Sequence, residues 1–312
     1  MSRIAAIGEC MLELTRRDDG GFNLGFGGDT LNTAIYLARA AAGRKDFAVD
    51  YVTALGSDPM SGEMVAAWNA EGLGTSRVAR LQGRLPGLYL IRTDEAGERR
   101  FFYWRGEAAV RSLFRTPETD PLLKALPDYD ALYFSGITLA VLAPEARERL
   151  RSALETARGR GCLVAFDSNY RPALWPDAAA ARQAMGEFLP VTSVALPTFE
   201  DERALHGDAD PAATAARYAR AGVVEVAVKR GAEGCLVLAD GKLVPLPAAT
   251  RRAPIDTTAA GDAFNAGYLA ARLLGAAPER AARAGAAIAG AVTGHRGAII
   301  PRDATPTLRE LL

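Results

Sequence analysis

The segment Asp256-Thr257-Thr258-Ala259-Ala260-Gly261-Asp262 holds the residue types needed to move an anionic group onto a hydroxyl. Small side chains let a ligand approach the backbone. Free N–H groups at the start of a helix predicted from about Asp262 form an anion site. A carboxylate in the same turn can take the proton of a hydroxyl held beside that anion. Phosphoryl transfer needs both parts, donors for the migrating group and an acid that orients and deprotonates the acceptor. On residue type alone the plainer reading, Asp262 complementing the helix dipole, is the commoner one. Counts weigh against other chemistry. Two histidines (His206, His295) and three well-separated cysteines (Cys10, Cys162, Cys235) are too few for a Cys/His zinc site and give no disulfide framework. A Ser-His-Asp or Cys-His nucleophile would have to recruit one of two isolated histidines. Two common nucleotide fingerprints also fail. Gly241-Lys242 is followed by Leu243, and Gly25-Phe26-Gly27-Gly28 runs into Asp29-Thr30 rather than completing G-x-G-x-x-G.

The elements that must position these residues alternate along the chain. Strand signals at Arg3–Ile7, Met11–Thr15 and Tyr51–Leu55 surround a glycine-rich stretch, 20–28, and a helix over 30–42 with Asp29 as N-cap. A further helix runs from about Met60 to Gly72. Segments 87–93 and 99–105 read as a hairpin across a type I turn at Asp94-Glu95-Ala96-Gly97. From residue 130 the order is regular, with strands at 131–134, 163–167, 194–196 and 224–229. Helices are predicted at 144–158, 177–188, 200–206 and 211–221. A second hairpin turns at Asp240-Gly241, and helices at 262–274 and 278–293 close the chain. Strands separated by helices of this length mean an α/β fold with a mainly parallel sheet and helices on both faces. Ligands of such sheets bind beyond the carboxyl ends of the strands.

The 312 residues carry 37 Lys+Arg against 37 Asp+Glu and are 49% hydrophobic, which is ordinary globular composition. Zero formal net charge argues against nucleic-acid or membrane binding, both of which need surplus positive charge. The first apolar stretch stops at Gly8-Glu9, and the small-residue run 284–292 is too short to span a bilayer, so a cytoplasmic protein is expected.

Taken together, four segments resemble ribokinase-like (PfkB-type) carbohydrate kinases. Asp256–Asp262 resembles the C-terminal signature of that family, and Gly27-Gly28-Asp29-Thr30-Leu31-Asn32 its Gly-Gly motif with a downstream Asn. Asp167-Ser168-Asn169-Tyr170-Arg171 and Lys229-Arg230-Gly231-Ala232-Glu233-Gly234 fall where the family keeps Asp-x-Asn-x-Arg and a nucleotide loop. Within the family, Gly8-Glu9-Cys10-Met11, Pro86-Gly87-Leu88-Tyr89, Tyr103-Trp104-Arg105 and 296–302 most resemble the members that act on 2-keto-3-deoxygluconate.

The resemblance implies one ribokinase-like kinase domain over 1–312, with a small β-sheet lid formed by about 10–26 and 84–108. It implies ATP-dependent phosphorylation of the terminal hydroxyl of that sugar acid. Alternatives are a neutral ketose such as fructose or, in another class, a non-catalytic sugar sensor. By the same resemblance Asp262 is the base, and the backbone of Ala259, Ala260 and Gly261 is the anion hole. Gly27, Gly28, Asn32, Tyr89, Tyr103, Arg105 and Arg171 hold substrate, while Asn169, Lys229, Gly231, Gly234 and Gly261 serve ATP. Mg²⁺ accompanies ATP, a monovalent cation is left open, and a homo-oligomer through the lid sheet is a further expectation. Two departures from the family pattern stand out. Ala259 replaces a frequent Gly, which implies a backbone conformation open to Ala. The family's Asn-x-x-Glu magnesium motif is not intact. Leu196–Glu202 offers three acids and no Asn, and spacing does not decide between Asp201 and Glu202, so the metal ligand stays unassigned.

Overall fold

Uninterrupted apolar runs such as Ile4–Ile7 are what a strand needs to be covered on both faces. In a computed structural model, which describes residues 1–17, 19–93, 99–249 and 253–311, thirteen strands are assigned among the described residues. In chain order they are β1 (Ser2–Ile7), β2 (Met11–Arg16), β3 (Phe22–Gly27), β4 (Phe47–Gly56), β5 (Val78–Leu81), β6 (Gly87–Thr93) and β7 (Arg99–Trp104). Then follow β8 (Ala131–Ser135), β9 (Leu163–Asp167), β10 (Val194–Ala195), β11 (Glu225–Lys229), β12 (Cys235–Ala239) and β13 (Lys242–Leu246).

Nine strands form the main sheet, in the order β13-β12-β11-β10-β9-β8-β1-β4-β5. From β11 to β5 every pairing is parallel, and only the β11–β12 and β12–β13 pairings are antiparallel. Alternate β1 side chains feed two cores. Ile4 and Ala6 pack under the helices Asp29–Ala40, Ala260–Leu273 and Pro278–Thr293. Ala5 and Ile7 pack under Pro144–Gly159, Ala178–Gly186 and Pro211–Arg220.

The segments expected to form a lid make a separate sheet, β3-β2-β6-β7, in which β2 pairs parallel with β6. One strand of it departs from the glycine-loop expectation. Residues 22–27 pair with β2 along their whole length, and the period-2 alternation Phe22, Leu24, Phe26 is the signal that the glycines obscured. Asp29 is not an N-cap either. Gly28 holds that position, and Asp29 is the first helical residue, its carboxylate accepting from Asn169. Neither β5 nor the short helix Gly136–Val141 is foreseen from sequence. The expected turn at 94–97 lies outside the described residues. At the second hairpin Asp240 and Gly241 both have positive φ, 49° and 71°, which matches a tight primed turn. No helix among the described residues is long and apolar enough to cross a membrane.

The helix that carries Asp262 meets its neighbour at unusually short range. A Cβ on Gly267 would lie 2.8 Å from the Ala284 carbonyl oxygen and from the Gly285 Cα. Gly267→Ala should therefore lower unfolding free energy by about 1–3 kcal/mol, since neither backbone can yield without moving a helix. Urea denaturation measures this, and an unchanged midpoint would contradict the packing described.

Candidate active site

Parallel strands deliver their last residues to one edge, and here two of those residues are charged. β9 ends on Asp167 and β11 on Lys229. Lys229 Nζ donates to Asp167 Oδ2 at 2.7 Å and to Asn265 Oδ1 at 3.1 Å. Asn265 Nδ2 in turn donates to Asp167 Oδ2 at 2.7 Å and to the Tyr133 hydroxyl at 3.0 Å. All four side chains are buried. Asn265 lies one turn inside the helix Ala260–Leu273, so this network fixes the start of that helix over the strand ends.

Asp262 stands in the first turn of the same helix. Its Oδ2 accepts from Asn32 Nδ2 at 2.9 Å, and its carbonyl accepts from the Thr33 hydroxyl at 3.3 Å. Burial, with Asp29 and Asp167 nearby, pushes its carboxyl up to about 7, against the pull of Asn32 and Lys229. That value suits a base working near neutrality.

Ala259, just before the helix, has φ 60° and ψ 10°. This left-handed conformation is open to Ala, as expected, although it costs an L-residue roughly 1–2 kcal/mol. The Ala260 N–H donates to the Thr257 carbonyl at 3.2 Å. Of the predicted anion hole, that amide is engaged within the loop. The remaining first-turn amides of Gly261 and Asp262 lack intrahelical acceptors by position. Asp256 shapes the loop, its Oδ1 accepting from the Thr258 amide and hydroxyl and its Oδ2 from the Gly297 amide.

Behind Gly261 opens a cavity of about 310 Å³. Lys229, Gly231, Gly234 and Gly261, four of the five residues expected to serve ATP, line it. Asn169 is absent from that lining. It has φ 34° and donates to Asp29 Oδ2 at 2.7 Å, which places it on the Asp262 side of the site. Sequence reasoning missed the opposite wall, Ala286, Ala289, Gly290 and Thr293. The signal was present, because those four small residues recur at helical spacing on one face of Pro278–Thr293. Small residues along one wall leave a slot into which a flat ring can slide.

On the lid side, Gly28 allows the backbone crossing, since a Cβ there would lie 2.2 Å from the Glu9 carbonyl oxygen. Gly27 faces the Tyr89 hydroxyl, which donates to Glu13. Tyr103 is half exposed, with the Arg105 guanidinium 5.9 Å from its ring centroid. Both candidate arginines already have acidic partners. Arg105 pairs with Glu9, and Arg171 with Asp201 at 3.3 Å. Asn32, expected on a sugar hydroxyl, gives its amide N–H to Asp262 and leaves its buried Oδ1 without a partner.

The two acids that spacing could not separate are separated by the structure. Glu202 is fully buried, accepting from Arg217 and from the Tyr218 hydroxyl. Asp201 pairs with Arg171 and lies within reach of the Asp167 and Lys229 charges; burial and Asp167 raise its carboxyl, while Arg171 and Lys229 lower it.

The sequence pattern of the pfkB family carbohydrate kinases matches residues 1–305. The chain belongs to that family. This kinase is 47% identical over 307 residues to the 2-dehydro-3-deoxygluconokinase of Escherichia coli K12, covering 97% of the chain and 99% of the relative. Among solved structures it is similar to a PfkB protein from Polaromonas sp. JS666, with TM-score 0.83 and 26% identity, covering 100% of this chain and 99% of that one. It also shares its fold with the ATP-bound fructokinase of Xylella fastidiosa, with TM-score 0.84 and 23% identity over 99% of this chain and 96% of that one.

The Asn32–Asp262 bond generates a pH expectation. A base works deprotonated, so kcat/KM for the acceptor should fall as pH drops through the raised Asp262 value. Asn32 stabilises the charged form, so Asn32→Ala should move this acid limb to higher pH. A pH–rate profile of both proteins checks it; an unmoved or lowered limb would contradict the assignment.

Proposed function

We propose that this kinase transfers the γ-phosphoryl group of ATP to the terminal hydroxyl of 2-keto-3-deoxygluconate, giving 2-keto-3-deoxy-6-phosphogluconate and ADP. The observation that carries the reaction type is the place of Asp262, in the first turn of a helix whose start lines the small-residue cavity, and bonded to Asn32 on the helix that follows lid strand β3. The substrate rests on the 47% identity to the E. coli relative of that name.

In this reading the adenosine occupies the slot between the Lys229–Gly234 loop and the Pro278–Thr293 helix. Lys229 and the first-turn amides of Gly261 and Asp262 face the phosphates and stabilise charge on the group in transit. The acceptor hydroxyl lies against Asp262, which takes its proton as the new P–O bond forms and the bond to the β-phosphate oxygen breaks. Asn32 keeps the carboxylate turned toward the hydroxyl. Lid side chains Tyr89 and Tyr103 enclose the sugar chain and exclude water, and Arg105 and Arg171 face its acid end.

No cluster of three or more acidic, His or Cys side chains arranged for a metal is found among the described residues. Mg²⁺ carried on nucleotide phosphates needs only one or two carboxylates. Asp201 and Asp167 fit that need, in a site where several carboxylates crowd one ammonium. The ion would neutralise charge on the phosphate oxygens. A cytoplasmic location suits an ATP-dependent reaction. A lid-to-lid oligomer is supported by Phe22, Leu24, Phe101, Phe102 and Trp104, which the lid sheet leaves 44–59% exposed.

ADP release should be measured with Mg²⁺-ATP and a panel of the sugar acid, fructose and a nucleoside. The keto-deoxy acid should lead by about 10²-fold or more in kcat/KM, the order expected from a desolvated carboxylate–guanidinium contact. Equal turnover of fructose would contradict the substrate.

A further inference from the structure

Among the described residues three buried carboxylates pair with arginine, and one differs from the other two. Glu225 is saturated. Its Oε1 accepts from the Tyr268 hydroxyl at 2.7 Å and from Arg272 Nε at 2.9 Å, and its Oε2 from Arg272 Nη2 at 2.9 Å. Glu202 likewise has Arg217 on one oxygen and Tyr218 on the other. Glu9 has Arg105 Nη2 on Oε2 alone. Its Oε1 and the Arg105 Nε are buried without any partner.

Buried ion pairs stabilise only when their remaining hydrogen-bonding capacity is filled. A pair left half filled is a poor stabiliser, and the arginine N–H groups it leaves unused suit a third, anionic group. Its location says which group. Glu9 lies on the crossing from β1 to the lid strand β2, and Arg105 where β7 leaves the lid. The Glu9 side chain is 2% exposed and that of Arg105 12%. Gly87, at the start of β6, makes room for both, since a Cβ there would lie 3.0 Å from Glu9 Oε1 and 3.3 Å from Arg105 Cβ. Asp29 and Arg111 are the other charges that bear on Glu9.

We propose that Glu9 is the positioning residue for Arg105, holding its guanidinium in the cleft before substrate arrives and leaving the rest of its N–H fork for the carboxylate of the acceptor. Without Glu9, Arg105 would be a largely buried cation with no counter-charge and would turn away from the cleft. Glu9 bears the cost of that service, since burial pushes its own carboxyl up to about 7 despite Arg105. The inference rests on the sugar-acid reading above and adds a residue to it.

The test compares wild type, Glu9→Gln, Arg105→Gln and the double variant. Substrates are 2-keto-3-deoxygluconate and the neutral ketose with a hydroxymethyl group in place of its carboxylate. Glu9→Gln should raise KM for the acid at least about tenfold while kcat, KM for ATP and use of the neutral ketose stay within about threefold. In the Arg105→Gln background the same change should add less than about twofold, because its effect runs through Arg105. An unchanged or lowered KM, equal losses on both substrates, or a full effect without Arg105 would overturn the role of Glu9. If Glu9→Gln fails to fold by thermal melt, Glu9→Asp keeps the charge on a shorter arm. The same KM rise is then expected, and an unchanged KM overturns the proposal. Wild type that ignores the acid but turns over the neutral ketose overturns the substrate reading itself, and this inference with it.

Discussion

The contact on which the site depends is the one between Lys229 and Asp167, at the ends of strands β11 and β9. One ammonium is held there at 2.7 Å from a buried carboxylate, with Asn265 bonded to both. A buried pair of this kind is weak evidence of net stability, although removing one partner typically costs about 3–5 kcal/mol. Its value here is positional. Asn265 belongs to the Asp262 helix, so the pair joins the strand ends to the helix whose first turn faces both the cavity and the lid. A shift of that helix would move Asp262 and the first-turn amides together.

The same arrangement sets the electrostatics. Asp262 is raised because it is buried among other carboxylates, and Lys229 and Asn32 only partly offset that. A site short of positive charge is one that a cation bound to phosphate would complete. It is also one in which an acid can act as a base near neutral pH. Fold and chemistry are therefore coupled through a few strand-end residues, not through the bulk of either core.

Much of this is legible in the sequence alone. The βαβ alternation after residue 130 gave the parallel sheet, because strand and helix periods differ clearly there. The Asp256–Asp262 segment stood out because small residues, a helix start and an acid coincide. What escaped was non-local or masked by composition. Strand β3 hid behind its glycines, although Phe22, Leu24 and Phe26 alternate. The cavity wall at 286–293 looked like ordinary helix packing, since small residues serve both purposes. No spacing rule could tell Asp201 from Glu202, because the difference lies in Arg217 and Tyr218, which reach Glu202 from another helix. The partners of Arg105 and Asn169, Glu9 and Asp29, are likewise distant in sequence and near only in the fold.

The central claim is that Asp262 is the base and that Asp256 only shapes the loop. It is tested most directly by kcat for Asp262→Asn and Asp256→Asn, with ATP and sugar-acid affinities taken separately by calorimetry. Asp262→Asn should lose about 10²–10⁴-fold in kcat while both affinities hold, because the amide keeps the shape and removes the proton acceptor. Near-normal turnover of Asp262→Asn, beside an inactive Asp256→Asn, would contradict the account.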